Sequence, residues 1–262
     1  MKSAFKYIYG PVPSWRLGSS LGIDLLSQKE KICNFDCTYC QIGQTKKYTL
    51  SRKVYLPVRK VIEELDILPD ISINYITFSG RGEPTLAENL GEAINAVKLI
   101  RKEPVAVLTN GSLIDSEKVR QELTLADFVA IKLDAYSLES LQEINRPAKG
   151  IEFARILEGI KNFRKNYMGR LALQIMFVDN KEKIEEYAYL SNCIKPDEIQ
   201  INTPLRPCRV KPLIKEELLR VRDYFSCACK GTDIVSVYDG RMLKIVPSIS
   251  DEDTLRRRGK IK

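Results

Sequence analysis

Histidine is absent from this chain of 262 residues. Its absence removes the commonest general base of enzymes and the commonest nitrogen ligand of protein-bound metals. Catalytic triads of the Ser-His-Asp and Cys-His kinds are therefore excluded, and so are zinc fingers that combine cysteine with histidine.

Long apolar runs are absent as well. No run approaches the length of a membrane-spanning helix, and the opening residues MKSAFKYIYG lack the apolar stretch and the small-residue cleavage site of a signal peptide. The sequence therefore predicts a soluble, cytoplasmic protein with no membrane partner, in which the seven cysteines stay reduced.

The charge balance is basic, because 42 Lys and Arg residues outnumber 34 Asp and Glu residues and give a net charge of +8. Such an excess suits an anionic partner such as RNA or a phosphorylated metabolite. A solvated surface of mixed charge has the same composition, so the charge alone does not identify a partner.

Short apolar runs alternate with segments of helical periodicity, which predicts βα units around a parallel sheet. The expected strands are Leu21–Leu26, Tyr75–Ser79, Val105–Thr109, Phe128–Leu133, Leu171–Val178 and Glu198–Asn202. The expected helices are Val58–Leu68, Leu86–Ile100, Asp115–Leu123, Ile151–Asn166 and Lys181–Cys193.

These units predict an α/β fold, namely a partial (β/α)6 TIM-like barrel over residues 1–204. A short C-terminal extension, residues 205–262, is expected to pack on this core. Its predicted elements are a helix at Lys215–Phe225, a strand at Ile234–Tyr238 and a basic end at Arg256–Lys262.

Three cysteines follow the first predicted strand with the spacing C-x3-C-x2-C, at Cys33, Cys37 and Cys40. Thiolates this close in one loop can converge on a single centre. A structural zinc site needs four ligands, whereas three thiolates can hold three irons of a four-iron cluster and leave the fourth iron open. Three packed free thiols are the alternative interpretation.

A glycine-rich segment follows the second predicted strand, with the sequence Gly80-Arg81-Gly82-Glu83-Pro84. An ammonium group needs exposed carbonyl acceptors, and glycine lets a ligand approach the backbone closely. The same segment is also typical of a turn from strand to helix, in which proline begins the helix.

The cysteine loop, with an aromatic residue just before its last cysteine, and the glycine segment one βα unit later together resemble the radical S-adenosylmethionine (SAM) superfamily. The resemblance implies two cofactors, a [4Fe-4S] cluster and SAM. It also implies that an electron from an external reductant, of the flavodoxin or ferredoxin class, cleaves SAM to a 5′-deoxyadenosyl radical that abstracts hydrogen from a substrate. The implied ligands are Cys33, Cys37 and Cys40 for the cluster, and Gly80, Gly82, Glu83 and Pro84 for the SAM amino group.

The resemblance implies four further SAM contacts, at Asn110, Asp134, Arg146 and Gln174. Polar groups at the carboxyl ends of barrel strands usually point into the active site. Each residue also has another interpretation: Asn110 in a turn, Asp134 in an exterior ion pair with Lys132, Arg146 in a surface loop, and Gln174 in a structural hydrogen bond.

The segments YGPVPSWRLGSSLGIDLL and INTPLRP resemble a subgroup related to the wyosine-forming enzymes of tRNA. This implies that Gly10–Gly22 helps to form the mouth of the site, with Trp15 and Arg16 able to contact a base. The alternative is a covering loop with Trp15 in the core. Cys193, Cys208, Cys227 and Cys229 are either spare thiols or ligands of a second cluster.

Three functions stay open at this point. The first is a radical SAM enzyme that acts on a tRNA base, and the second is the same chemistry on a protein side chain or a small metabolite. The third is an iron-sulfur module that transfers electrons without catalysis. The glycine segment favours an enzyme, because a simple electron carrier needs no site for SAM.

Overall fold

One curled sheet forms the centre of the molecule, a computed structural model that describes residues 5–178, 181–239, 247–249 and 251–258. Within these residues the sheet has eight strands, in the same order as in the sequence. The strands are β1 (Ile8–Ser14), β2 (Gly18–Ile23), β3 (Tyr75–Phe78), β4 (Val105–Thr109), β5 (Phe128–Lys132), β6 (Arg170–Met176), β7 (Glu198–Asn202) and β8 (Asp233–Ser236). β1 is antiparallel to β2, and every later pair is parallel.

The sheet thus has eight strands where the sequence predicts six for the barrel. The six predicted strands are β2 to β7, and the strand predicted in the extension is β8, which continues the sheet beside β7. The prediction omits β1 because Gly10, Pro11 and Pro13 interrupt it. These residues are tolerated because β1 is an edge strand with an irregular register between Tyr9 and Val12.

Helices follow most of the parallel strands. They are α1 (Val58–Asp66), α2 (Leu90–Ile100), α3 (Glu117–Leu123), α4 (Leu138–Ile144), α5 (Phe153–Asn166), α6 (Ile184–Ile194), α7 (Lys215–Ala228) and α8 (Asp251–Arg258), with 3-10 turns at Pro84–Leu86 and Lys181–Lys183. The one-turn helix at Pro84–Leu86 takes the place of the predicted start of α2, and the sequence does not predict α4. No helix of the described residues is long and apolar enough to cross a membrane.

Successive side chains of each parallel strand point alternately to the outer face of the sheet, which the helices cover, and to its inner face. Outer residues such as Ile76, Val107 and Ile131 are fully buried in the main core with the helices. Inner residues form a separate, small apolar cluster with the turn that joins β1 to β2. That cluster consists of Leu17, Ala106, Phe128, Ala130 and Ala172.

This turn lies at the base of the barrel, since Ser20 in β2 is paired with Tyr75 at the start of β3. The prediction that Trp15 and Arg16 help to form the mouth of the site is therefore wrong. A turn between antiparallel β1 and β2 must precede β2, at the end of the barrel opposite the loops that follow the parallel strands.

The C-terminal helix α8 packs against β1. Its residue Arg257 has a fully buried side chain, which forms an ion pair of 2.9 Å with buried Asp24 and lies over the Tyr9 ring at 5.2 Å. The extension is therefore joined to the carboxyl end of β2. The remainder of the predicted basic end, residues 259–262, lies outside the described residues.

Candidate cluster and SAM site

The cysteine loop leaves β2 and crosses the end of the barrel where the parallel strands finish. Isolated β-bridges join it to other segments there: Ile32 to Gly82, Cys33 to Tyr48 and Phe35 to Pro147. The backbone amide of Asp36 also donates to the carbonyls of Asn145 and Arg146. The glycine segment and the turn around Arg146, residues 145–147, therefore hold the loop in place.

Each of the three thiols has a nitrogen donor beside it. Lys31 Nζ lies 3.1 Å from Cys40 Sγ, Asn145 Nδ2 lies 3.3 Å from Cys37 Sγ, and Asn110 Nδ2 lies 3.9 Å from Cys33 Sγ. Donors directed at sulfur favour the thiolate, which is the form that binds metals. The surroundings of all three cysteines thus suit metal-bound thiolates.

Burial opposes ionisation of the same thiols in the absence of a metal. It raises the pKa of Cys33 to about 12 and that of Cys37 to about 11. In the described residues no three metal-binding side chains are grouped closely enough for a single ion. A structural zinc site needs four protein ligands, whereas three thiolates can hold three irons of a four-iron cluster and leave the fourth iron open. The three thiols and their nitrogen donors therefore suit a cluster better than a zinc ion.

The glycine segment lies directly against the cysteine loop. Ile32 donates its amide to the Arg81 carbonyl and accepts a hydrogen bond from the Glu83 amide, both at 3.0 Å. A Cβ atom on Gly82 would lie 1.6 Å from the Ile32 carbonyl oxygen. At Gly80, where φ is +143°, a Cβ atom would lie 2.5 Å from the Asp24 carboxyl carbon. Close contact with the Ile32 backbone at Gly82 and with the Asp24 side chain at Gly80 thus gives both glycines a structural role in addition to the one predicted from sequence.

The Glu83 side chain points into the protein and joins the ends of β3 and β4. One carboxylate oxygen accepts from the Thr109 hydroxyl at 2.6 Å, and the other accepts from the Asn110 amide at 2.6 Å. Burial raises the pKa of this carboxyl, although hydrogen bonds from Thr109, Asn110 and Thr85 oppose the shift. Pro84 begins the following 3-10 turn, as the turn interpretation predicts.

Asn110 connects β4 to the cysteine loop. Its side-chain amide donates to Asn34 Oδ1 at 2.8 Å, and Asn34 in turn donates to the Ser112 hydroxyl at 2.7 Å. Asn110 therefore lies beside Cys33 and fixes the loop residue that follows it.

Asp134 lies on the inner face of the barrel, because its neighbours Ile131 and Leu133 belong to the outer core. It accepts hydrogen bonds from the Tyr39 hydroxyl, from Asn145 Nδ2 at 3.0 Å and from the Met176 amide at 2.9 Å. The exterior position considered from the sequence is therefore wrong. The carboxylate holds Tyr39 and Asn145 beside the cysteines.

Lys132 and Gln174 form a polar pair on the same inner face. Lys132 Nζ is 3.1 Å from Gln174 Oε1, 3.5 Å from Asp134 Oδ2 and 4.7 Å from the centre of the Tyr39 ring. In the next strand, the buried Oε1 atom of Gln200 has no partner in the described structure. The interior thus presents a cation and a free acceptor below the cysteine loop.

Arg146 follows α4 in the left-handed region, with φ of 47°, and its side chain is exposed. Its neighbour Asn145, which the sequence does not single out, is the residue that reaches Cys37. The sequence does not predict a role for Lys31 either. Its spacing from Cys33 could have indicated one, because residues two apart in extended backbone lie on the same side. By that rule Lys31 lies on the side of Cys33.

The other four cysteines do not share one centre. Cys208 packs near Tyr39 in the loop after β7, at the cysteine-loop end of the barrel. Cys229 is buried at the end of α7, immediately before β8 and thus at the opposite end. Cys193 and Cys227 are exposed. These positions support the interpretation as spare thiols.

Comparison with known proteins identifies the family. Residues 31–190 match the model of the radical SAM superfamily, which is more than half of the chain. This chain belongs to that superfamily. The cofactors of its members are a [4Fe-4S] cluster and SAM, and the protein is a radical SAM enzyme, as predicted.

Two relatives illustrate the range of similarity. A UPF0026 protein of Synechocystis is 41% identical over 218 residues, which cover 82% of this chain and 81% of that protein. A probable GTP 3′,8-cyclase of Saccharolobus islandicus is 29% identical over 184 residues, covering 68% of this chain and 56% of that protein. These relatives do not confirm the resemblance to wyosine-forming enzymes, which stays a prediction.

Solved structures share the fold. SuiB of Streptococcus suis, bound to S-adenosylmethionine, has a TM-score of 0.63 and 15% identity over 79% of this chain. A radical SAM methyltransferase of Sphaerobacter thermophilus has a TM-score of 0.60 and 14% identity over 83% of this chain. The chain spans 48% of the SuiB chain and 65% of the methyltransferase chain.

Proposed function

We propose that Cys33, Cys37 and Cys40 hold the [4Fe-4S] cluster and that the segment from Gly80 to Pro84 receives the SAM amino group. One arrangement carries this proposal: three thiols, each with a nitrogen donor, lie in a loop that is bridged directly to the glycine segment. Successive carbonyls of extended backbone point to opposite sides. The Arg81 carbonyl accepts from Ile32, so the Gly82 carbonyl points away from the loop and is the acceptor we assign to SAM.

The remaining predicted contacts divide into two groups in this proposal. Gln174 and Arg146, which are partly or fully exposed, act as direct contacts to SAM or substrate. Asn110 and Asp134 act mainly by fixing the cysteine loop, because protein groups already occupy the hydrogen-bonding atoms of both side chains.

When bound, the cluster and SAM supply a 5′-deoxyadenosyl radical that abstracts a hydrogen atom from the substrate. The chain itself binds the two groups, orients them and excludes water from the barrel. An external reductant of the flavodoxin or ferredoxin class supplies the electron. We propose the cytoplasm as the compartment, which the free state of all seven cysteines supports.

The substrate we propose is a tRNA base, on account of the charge around the cysteine loop. Residues 41–50, 145–150 and 205–212 contain seven Lys and Arg residues and no Asp or Glu. Contacts of Asp36 with Thr45, Asn145 and Arg209 hold these three loops together. Exposed Tyr48 lies among them and offers a surface on which a base can stack.

A second candidate substrate is a small phosphorylated metabolite, which the same basic rim would bind. The relative named probable GTP 3′,8-cyclase favours this candidate. The two are separated by affinity for bulk tRNA. We expect binding to weaken by at least tenfold between 50 and 200 mM salt if several phosphates are contacted. Absence of tRNA binding at low salt would rule out the first candidate.

The chemistry is tested by anaerobic reconstitution with iron and sulfide, followed by dithionite and SAM. Wild-type protein should bind about four irons and release 5′-deoxyadenosine. Cys37→Ala should lose both properties, whereas Cys193→Ala, an exposed cysteine on α6, should keep both. Wild-type protein that binds iron but never yields 5′-deoxyadenosine would contradict the proposed function.

A further inference from the structure

Lys31 is a buried lysine within the ring of cysteines. The residue is only 9% exposed, and Nζ lies 3.1 Å from Cys40 Sγ and 3.0 Å from the Gly43 carbonyl oxygen. Its charge also interacts with the sulfurs of Cys33 and Cys37. Lysine is almost never this deeply buried unless its charge has a partner.

Carboxylates do not supply that partner. Lys31 forms no ion pair with Asp or Glu in the part of the chain that the structure describes. The neighbouring acid Asp36 is already paired with Arg209 at 2.9 Å. Cys40 Sγ is thus the group of opposite charge at contact distance from this ammonium, and the sulfurs of Cys33 and Cys37 and the carboxylate of Asp36 interact with it from farther away.

The other donors at the sulfurs are neutral. Cys37 faces the side-chain amide of Asn145, and Cys33 faces the side-chain amide of Asn110 and the backbone amide of Phe35. Hydrogen bonds to sulfur and net charge both set the reduction potential of an iron-sulfur cluster. Lys31 is distinguished from these donors because it adds a full positive charge in a buried environment.

We propose that Lys31 raises the reduction potential of the cluster and so makes the SAM-cleaving state accessible to the external reductant. Three thiolates outweigh the positive charge of an oxidised four-iron core, and reduction adds one more negative charge. A fixed cation at contact distance from one ligand stabilises the reduced state more than the oxidised state. The inference rests on the proposed cysteine ligands.

The step is a transfer of one electron alone. The reductant, of the flavodoxin or ferredoxin class, loses one electron and the cluster gains it. Lys31 keeps its proton and breaks no bond, so it is a positioning residue that acts through charge.

The test uses the whole reconstituted chain and a redox titration of the cluster, followed by electron paramagnetic resonance without SAM. Lys31→Met and Lys31→Gln remove the charge, Lys31→Arg keeps it, and Lys29→Met alters an exposed lysine two residues away. We expect both neutral variants to be harder to reduce by tenfold or more, which corresponds to a midpoint lower by 59 mV for one electron. Lys31→Arg and Lys29→Met should stay within threefold of wild type.

Iron content, measured on every sample, separates the inference from the proposed function. Neutral variants with full iron and an unchanged midpoint would overturn the role of Lys31 and leave the ligands intact. Full iron in Cys37→Ala would instead overturn the ligands. If the neutral variants fail to assemble a cluster while Lys31→Arg assembles it, the charge serves to hold the thiolates rather than to set the potential, and the inference is overturned. If Lys31→Arg also fails to assemble a cluster while Lys29→Met assembles it normally, the positive charge is not the required property, and the inference is overturned.

Discussion

A methyl group on Gly82 should separate the glycine segment from the cysteine loop. In Gly82→Ala the new Cβ atom would lie 1.6 Å from the Ile32 carbonyl oxygen and 2.6 Å from its carbon, and both are backbone atoms that cannot rotate away. Because Cβ contacts below 3.0 Å essentially never occur, the two segments must move apart by about 1.4 Å.

This movement breaks the two hydrogen bonds between the segments, from Ile32 to Arg81 and from Glu83 to Ile32, each 3.0 Å long. Overpacking costs about 1–3 kcal/mol, and each lost hydrogen bond costs about 1 kcal/mol. The free energy of unfolding should therefore fall by about 3–5 kcal/mol. Because Ile32 directly precedes Cys33, iron binding should decrease in the same variant.

Urea denaturation measures the first effect, and iron content after anaerobic reconstitution measures the second. Gly43→Ala is the matched control: it alters a glycine of the same loop, with φ of +102°, where an added Cβ would meet nothing within 4 Å. In Gly43→Ala the free energy of unfolding should fall by only about 1–2 kcal/mol, which is the cost of placing alanine in the left-handed region of φ. If Gly82→Ala were no less stable than Gly43→Ala and bound iron normally, the packing argument would be refuted.

Two further changes test buried charges. Arg257→Met leaves the carboxylate of Asp24 buried without its partner, so the free energy of unfolding in urea should fall by about 3–5 kcal/mol. The control Arg256→Met, at an exposed position, should change the free energy of unfolding by less than about 1 kcal/mol. Equal losses in the two variants would contradict the role of the ion pair. Burial raises the pKa of Glu83 above its ordinary 4.5, so the stability that depends on the protonated form is complete below pH 4.5 and is lost as pH rises through the raised pKa. Wild-type protein should therefore lose stability relative to Glu83→Gln over that range in urea titrations. A constant difference between the two proteins would count against the raised pKa.

Much of the fold follows from short-range patterns. β2 to β7 are predicted within a few residues because each is a short apolar or alternating run in a chain where such runs alternate with helical segments. β1 escapes prediction because Gly10, Pro11 and Pro13 are compatible with a strand only at a sheet edge. Whether a strand lies at the edge depends on the assembled sheet, so no short-range pattern in the sequence indicates it.

The sequence by itself determined the cysteine spacing, the glycine segment and their order along the chain, because these features lie within a few residues of one another. Only the tertiary structure decided that Lys31 and Asn145 face the sulfurs, that Trp15 lies near the base, and that Asp134 points inward. Asn145 and Cys37 are 108 residues apart in sequence, and side chains so distant come into contact only when the strands between them assemble into the curled sheet. The physical reason is that the hydrophobic periodicity of the sequence determines on which face of a strand or helix a residue lies. Sheet order and loop packing determine which other residues that face contacts.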